Sequence, residues 1–190
     1  MSISDARPSP RDIGVRDAAK ACGECSLCCK MLGIAELQKA SGVMCRHVIP
    51  GKGCGIHAQR PEVCGGYQCV WTLADPLDEQ WRPDRAGFVL NPRQDPGEVE
   101  VLVDTSRPDA WRREPFYSTL KRWSHPSTPS ITRVLVRTRG KTIVVFPDAE
   151  IELGPLSGQL PYVHSGYEMK DGRPQPYARL APVPSTRRGS

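Results

Sequence analysis

The sequence predicts an α+β chain, in which an irregular cysteine-rich lobe with a short helix packs on a small antiparallel sheet with one or two helices. Three observations lead there. All eight cysteines lie between Cys22 and Cys69, and the rest of the 190-residue chain has none. After Gly87, short runs rich in Val and Ile recur between turn residues. Proline is abundant, 19 of 190 residues, about twice the usual ~5%. That favours turns and extended connections over long helices.

The elements follow in order. Residues 1–18 are polar, carry Pro8 and Pro10, and read as a disordered tail. Residues 19–72 form the cysteine region. Within it, Met31, Ile34, Ala35 and Gln38 share a helical face, and Ser41-Gly42 closes that helix. From Cys45 to Gly66 the glycines imply tight, ligand-bearing loops. Residues 73–155 read as sheet plus helix, in the same compact domain. Gly87–Asn91 and Glu98–Val103 are strands, and Asp109–Trp123 is a helix with Phe116, Leu120 and Trp123 on one face. Thr132–Arg137 and Lys141–Phe146 flank a hairpin turn at Thr138-Arg139-Gly140, and Ala149–Leu153 alternates as a further strand. Residues 156–190 are Pro-rich, show no obvious element, and are expected to be partly disordered. The four tryptophans, at 71, 81, 111 and 123, are read as core anchors rather than base-stacking platforms.

Charge narrows the function. The formal net charge is +5, but eight ionised ligand thiols would subtract eight charges and two divalent ions would return four, leaving +1. No basic block stands out beyond Arg187-Arg188, so nucleic acid is not the expected partner. The chain has no apolar signal core at its start and no bilayer-length apolar run. The expected compartment is the cytoplasm, where clustered cysteines more often bind metal than form disulfides.

The spacing Cys22-x2-Cys25-x2-Cys28-Cys29, followed by Cys45, Cys54, Cys64 and Cys69, therefore predicts a metal centre with all eight as ligands. Adjacent side chains diverge, so Cys28 and Cys29 would serve two centres, or one would be a spare thiol. Paired zinc sites usually show two Cys-x-x-Cys knuckles, and only the first group has that spacing, which places an iron–sulfur cluster ahead of zinc. Arg60 is the candidate cofactor-binding residue, since Pro61 fixes the turn into Cys64 and a guanidinium there can donate to a thiolate or clamp the loop. His57 has ligand-like spacing from Cys54 but reads as a packing residue, and His125 and His164 as solvated ones.

The run Cys22-x2-Cys25-x2-Cys28-Cys29, Cys45, Gly53-Cys54-Gly-Ile-His57 and Arg60-Pro61-x2-Cys64-x4-Cys69 resembles the YkgJ-type cysteine cluster family over about residues 20–71. The resemblance implies a zinc- or iron-chelating domain, with no settled reaction. Ser26 and Gly65 depart from the family's usual residues without removing a thiol.

The sequence thus predicts a metal-binding protein whose centre is structural or moves electrons. The alternatives are an enzyme that uses the centre, or an adaptor whose C-terminal sheet binds a protein partner. No Gly-rich phosphate loop, His-Glu-x-x-His or nucleophile elbow is present. Asp is absent from residues 20–70, so a hydrolytic metal site is not expected.

Overall fold

The computed structural model describes residues 20–92, 97–128, 131, 133–155 and 162–181. The tail expected at 1–18 lies outside the described residues, and of the Pro-rich tail expected at 156–190 residues 162–181 are described.

The cysteine region is built from very short pieces. Cys22–Cys25 closes a turn through a Cys25 N–H to Cys22 carbonyl bond of 3.0 Å. Helix α1 (Leu27–Met31) carries Cys28 and Cys29 and buries Leu27 and Met31. The helix expected from Met31 onward is therefore displaced. It ends where the spacing suggested it would begin, because Leu32 turns to extended backbone, and a single 3-10 turn follows at Ala35–Leu37. Two-residue strands β1 (Val48–Ile49) and β2 (Gly53–Cys54) pair antiparallel, followed by α2 (Glu62–Gly66) and α3 (Val70–Leu73). Helix α4 (Pro83–Ala86) begins on proline, whose fixed φ and missing N–H suit a first turn, and ends at Gly87.

A five-stranded sheet follows, in the order β3 (Phe88–Pro92), β4 (Glu98–Val103), β5 (Arg133–Thr138), β6 (Lys141–Val145), β7 (Glu150–Gly154). It is mixed, which corrects the antiparallel sheet expected from the sequence, because β4 and β5 run parallel. Parallel neighbours need a long crossover. Here it contains a 3-10 turn at Ala110–Arg112 and helix α5 (Phe116–Trp123), with Pro115 immediately before it. The β5–β6 connection is the expected tight hairpin, with Arg139 and Gly140 both at positive φ.

Strand alternation divides the core between the two faces. Val99, Val101, Val103, Val134, Val136, Ile143 and Val145 join Trp81, Phe88, Trp111, Phe116 and Leu120 on one face. Trp81 stands edge-on to Phe88 and Phe116 and stacks on Trp123 at 5.4 Å. The other face carries Leu135 and Val144, covered with Phe146 and Val163. Val163 belongs to β8 (Tyr162–Lys170), which pairs antiparallel with β9 (Arg173–Ala181). This ribbon occupies a region where the sequence shows no element. Pro174 and Pro176 mask it, but both fit a two-stranded ribbon, where an outward-facing N–H needs no partner.

The cysteine region packs along edge strand β3 through Cys69, Val70 and Trp71 and through Leu27 and Met31 of α1. Lys30 pairs with the nearly buried Asp104 at 2.6 Å and ties α1 to the end of β4. Lys20 donates to the Ala74 carbonyl at 2.7 Å and to that of Leu77, pinning the start of the described chain to the loop after α3.

Candidate functional site: a cavity lined by eight thiols

All eight cysteines are unpaired, and all eight border one cavity of about 640 Å³. The Cys22–Cys25 turn, α1, the β1–β2 ribbon, α2 and the start of α3 each present part of its wall. Local geometry explains the convergence. Gly53 has φ +86°, and a Cβ there would sit 2.9 Å from the Gly23 carbonyl oxygen. Only glycine lets the ribbon carrying Cys54 press onto the Cys22–Cys25 turn. The Cys45 N–H donates to the Cys29 carbonyl at 3.1 Å, which brings the next loop onto α1.

Electrostatic neighbourhoods divide the thiols into two sets. Cys64 is acted on by Cys29, Cys45 and Cys54. Cys69 is acted on by Cys22 and Cys25, and Cys28 by these two and by Cys29. The adjacent pair joins the sets, and the Cys28 thiol donates to Cys29. That hydrogen bond, followed by burial, pushes Cys28 far above the ordinary thiol range. The same bond, helped by Lys39 and Arg60, holds Cys29 below the ordinary thiol range against its burial. Burial raises Cys25 and Cys64, and pushes Cys69 up to about 11. Cys29 is therefore the group most disposed to be a thiolate at neutral pH.

Convergence on a cavity is not coordination. Among the described residues, no group of three or more His, Cys, Asp or Glu side chains is arranged to hold a metal ion. The thiols are spread around a wall instead of gathered on a point. This overturns the expected iron–sulfur cluster or zinc, the metal ion as partner, the metal-binding lobe of the fold, and the structural or electron-transfer role built on it. No family model, curated protein or solved structure matches the chain. The resemblance to the YkgJ-type cluster is accordingly set aside, since neither a family match nor a ligand constellation supports it.

Arg60 lies in the cavity wall, and its guanidinium donates to His57 Nε2 at 2.8 Å. His57 is exposed and serves as that acceptor. Two lining residues were not singled out by the sequence. Tyr67 brings a buried hydroxyl with no hydrogen-bond partner among the described residues, and Asn91 of β3 donates to Glu100 at 3.0 Å. Nothing in their spacing marks them. A tyrosine between Gly66 and Gln68 reads as a loop residue until the fold turns it inward. Among the described residues, no helix is long and apolar enough to cross a membrane.

Proposed function

We propose that this protein carries out thiol–disulfide exchange in the cysteine-lined cavity, with Cys29 as the attacking thiolate. The observation that carries this is the convergence of eight unpaired cysteines on one cavity beside a guanidinium. The thiolate is the nucleophile of exchange, and a nearby cation favours it. Cys29 attacks one sulfur of an external disulfide, forming a mixed disulfide and releasing one thiolate. A second wall thiol, Cys45 or Cys64, then loses its proton and attacks the Cys29 sulfur. The second external thiolate leaves, and the protein retains an internal disulfide. Two electrons pass from the protein dithiol to the external disulfide, and an external dithiol returns the protein to its starting state.

The other cysteines, Cys22, Cys25, Cys28, Cys54 and Cys69, complete the wall and share charge with the reacting pair. In this reading residues 19–72 are the working unit, residues 73–155 its scaffold, and the cytoplasm the compartment, whose thiol pool keeps the cysteines reduced.

The test uses the reduced full-length chain, challenged with a small neutral disulfide and quenched by acid at intervals. Mapping by mass should show the first adduct on Cys29, then its conversion to an internal disulfide without the adduct. Exchange no faster than that of free cysteine would overturn the proposal. So would isolation of the protein with stoichiometric metal occupying the thiols.

A further inference from the structure

The wall of the cavity has a charge preference. Among its described lining residues are Lys20, Arg60, His47 and His57, and no Asp or Glu. Lys20 is committed to backbone carbonyls of the loop after α3. Among the described residues, Arg60 is not committed to a carboxylate. It is half-buried, and its hydrogen bond goes to an imidazole nitrogen. At another part of the same wall lies the Tyr67 hydroxyl, enclosed and, among the described residues, without a hydrogen-bond partner, its electrostatic neighbours being Cys69, Cys28, Cys22 and Glu100. Buried hydroxyls are nearly always hydrogen-bonded, so an enclosed one facing a cavity marks where a ligand acceptor belongs. A cavity of about 640 Å³ suits a small molecule, and its wall is mostly apolar with a few polar groups, as in ligand sites generally.

Resting on the exchange reading above, we infer that the disulfide taken by this cavity is a small carboxylate-bearing one. Arg60 pairs with a carboxylate of one arm, and the Tyr67 hydroxyl donates to a polar oxygen of the other. The scissile sulfurs then lie between them, against α1, where Cys29 attacks. A guanidinium is suited to this task because its planar fork matches a carboxylate and never loses its charge. The Arg60 charge also favours the Cys29 thiolate, so bound carboxylate and thiolate share one cation. The bonds formed and broken are those of the exchange already given, and the carboxylate takes no part in them.

The experiment compares dithiodipropionate, bis(2-hydroxyethyl) disulfide and cystamine, which are anionic, neutral and cationic disulfides of similar length. Each rate of adduct formation on Cys29 of the full chain is divided by the rate of free cysteine with the same probe at the same pH. The expected result is a normalised rate for the anionic probe about tenfold above the neutral one, the effect of one charge-assisted contact. The cationic probe should be slowest. Arg60→Gln should bring the anionic-to-neutral ratio to about one, with Arg60→Lys restoring part of it. Tyr67→Phe should raise the half-saturating concentration of dithiodipropionate several-fold. Equal normalised rates for the three probes in the parent protein would overturn the substrate class and leave the exchange reading standing. If no probe outpaces free cysteine, both fall.

Discussion

In the sheet, Val101, Val134, Leu135 and Val136 are wholly enclosed. Between Cys22 and Cys64 the buried side chains are Leu27, Met31 and Ile34, while Val43, Met44, Ile49 and Val63 are each about half exposed. The two regions are joined along β3, yet different forces hold them. The sheet is held by burial of branched and aromatic side chains, which contributes roughly 25 cal/mol per Å² of apolar surface. The cysteine region is held by backbone turns, a few side chain–backbone bonds such as Ser41 to the Met31 carbonyl at 2.6 Å, and its anchorage on the sheet. A weakly packed region can hold many thiols at a surface cavity, where a close-packed core would seal them away.

The sharpest way to break the comparison is to remove a core anchor. Trp111 is fully buried beneath the Arg112 guanidinium, which lies 4.1 Å from its ring. Trp111→Ala should cost about 3–5 kcal/mol in a denaturant titration and expose the thiols as a secondary consequence. Loss of stability below about 1 kcal/mol would mean that the sheet is not the stabilising part.

Gly87 tests the junction between the regions. It ends α4 at φ +86°, and a Cβ there would lie 2.8 Å from that of Ala110 and 3.1 Å from Arg107 Nε. Gly87→Ala should cost about 1–3 kcal/mol, combining left-handed strain with a clash against a buried alanine. A neutral outcome would show that the junction relaxes freely.

These elements also show what a linear reading can and cannot see. The strands around Val89 and Val101, and the turn at Arg139-Gly140, were legible because side-chain period and turn chemistry are local. The parallel pairing of Val99 with Val134 was not legible, because a crossover of some thirty residues decides which strands become neighbours. The β8–β9 ribbon was hidden by Pro174 and Pro176, which count against a strand unless it is known to be an edge. At the site, the confinement of all eight cysteines to one stretch of chain was legible, and the structure spreads them around the wall of one cavity. What they would do there was not. Spacing does not say whether sulfurs meet at a point or line a wall, and that distinction is three-dimensional. Tyr67 and Asn91 joined the cavity only through the fold.

The ion pair between Lys30 and Asp104 links the regions electrostatically. Burial pushes the Asp104 carboxyl up, but hydrogen bonds from Lys30 and Ser106 outweigh it and hold it below the ordinary value. A depressed carboxylate stabilises the fold fully above its unfolded value, near 3.8, and that contribution is lost as pH falls through the folded value. Lys30→Ala should cost about 1–2 kcal/mol at pH 7 and flatten the stability profile in that acid window. An unchanged profile would show that the pair does not join the regions.

The smallest expected change in stability is also the most informative about the thiols. Cys28→Ala removes the sulfhydryl that donates to Cys29, and Cys28→Ser keeps a donor in nearly the same place. Both residues are partly exposed in a loosely packed region, so stability should move by no more than about 1 kcal/mol in either variant. Reactivity should move much more. In the parent, the iodoacetamide rate at Cys29 should rise with pH to a midpoint below the ordinary thiol value of about 8.5. Without the Cys28 donor, Lys39, Arg60 and the Cys29 backbone N–H still favour the thiolate while burial opposes it, so the Cys28→Ala midpoint should rise toward the ordinary value. Cys28→Ser should lie between. The linkage has a definite sign. A depressed thiol stabilises the folded state above its unfolded value and loses that contribution as pH falls through the folded one, so the parent and Cys28→Ala should converge in stability at acid pH and differ most near pH 9. If the Cys29 midpoint is the same in all three proteins, the hydrogen bond within α1 does not set its reactivity. The thiolate preference would then have to come from Lys39, Arg60 and the Cys29 backbone N–H, and Arg60→Gln would shift the midpoint where Cys28→Ala did not.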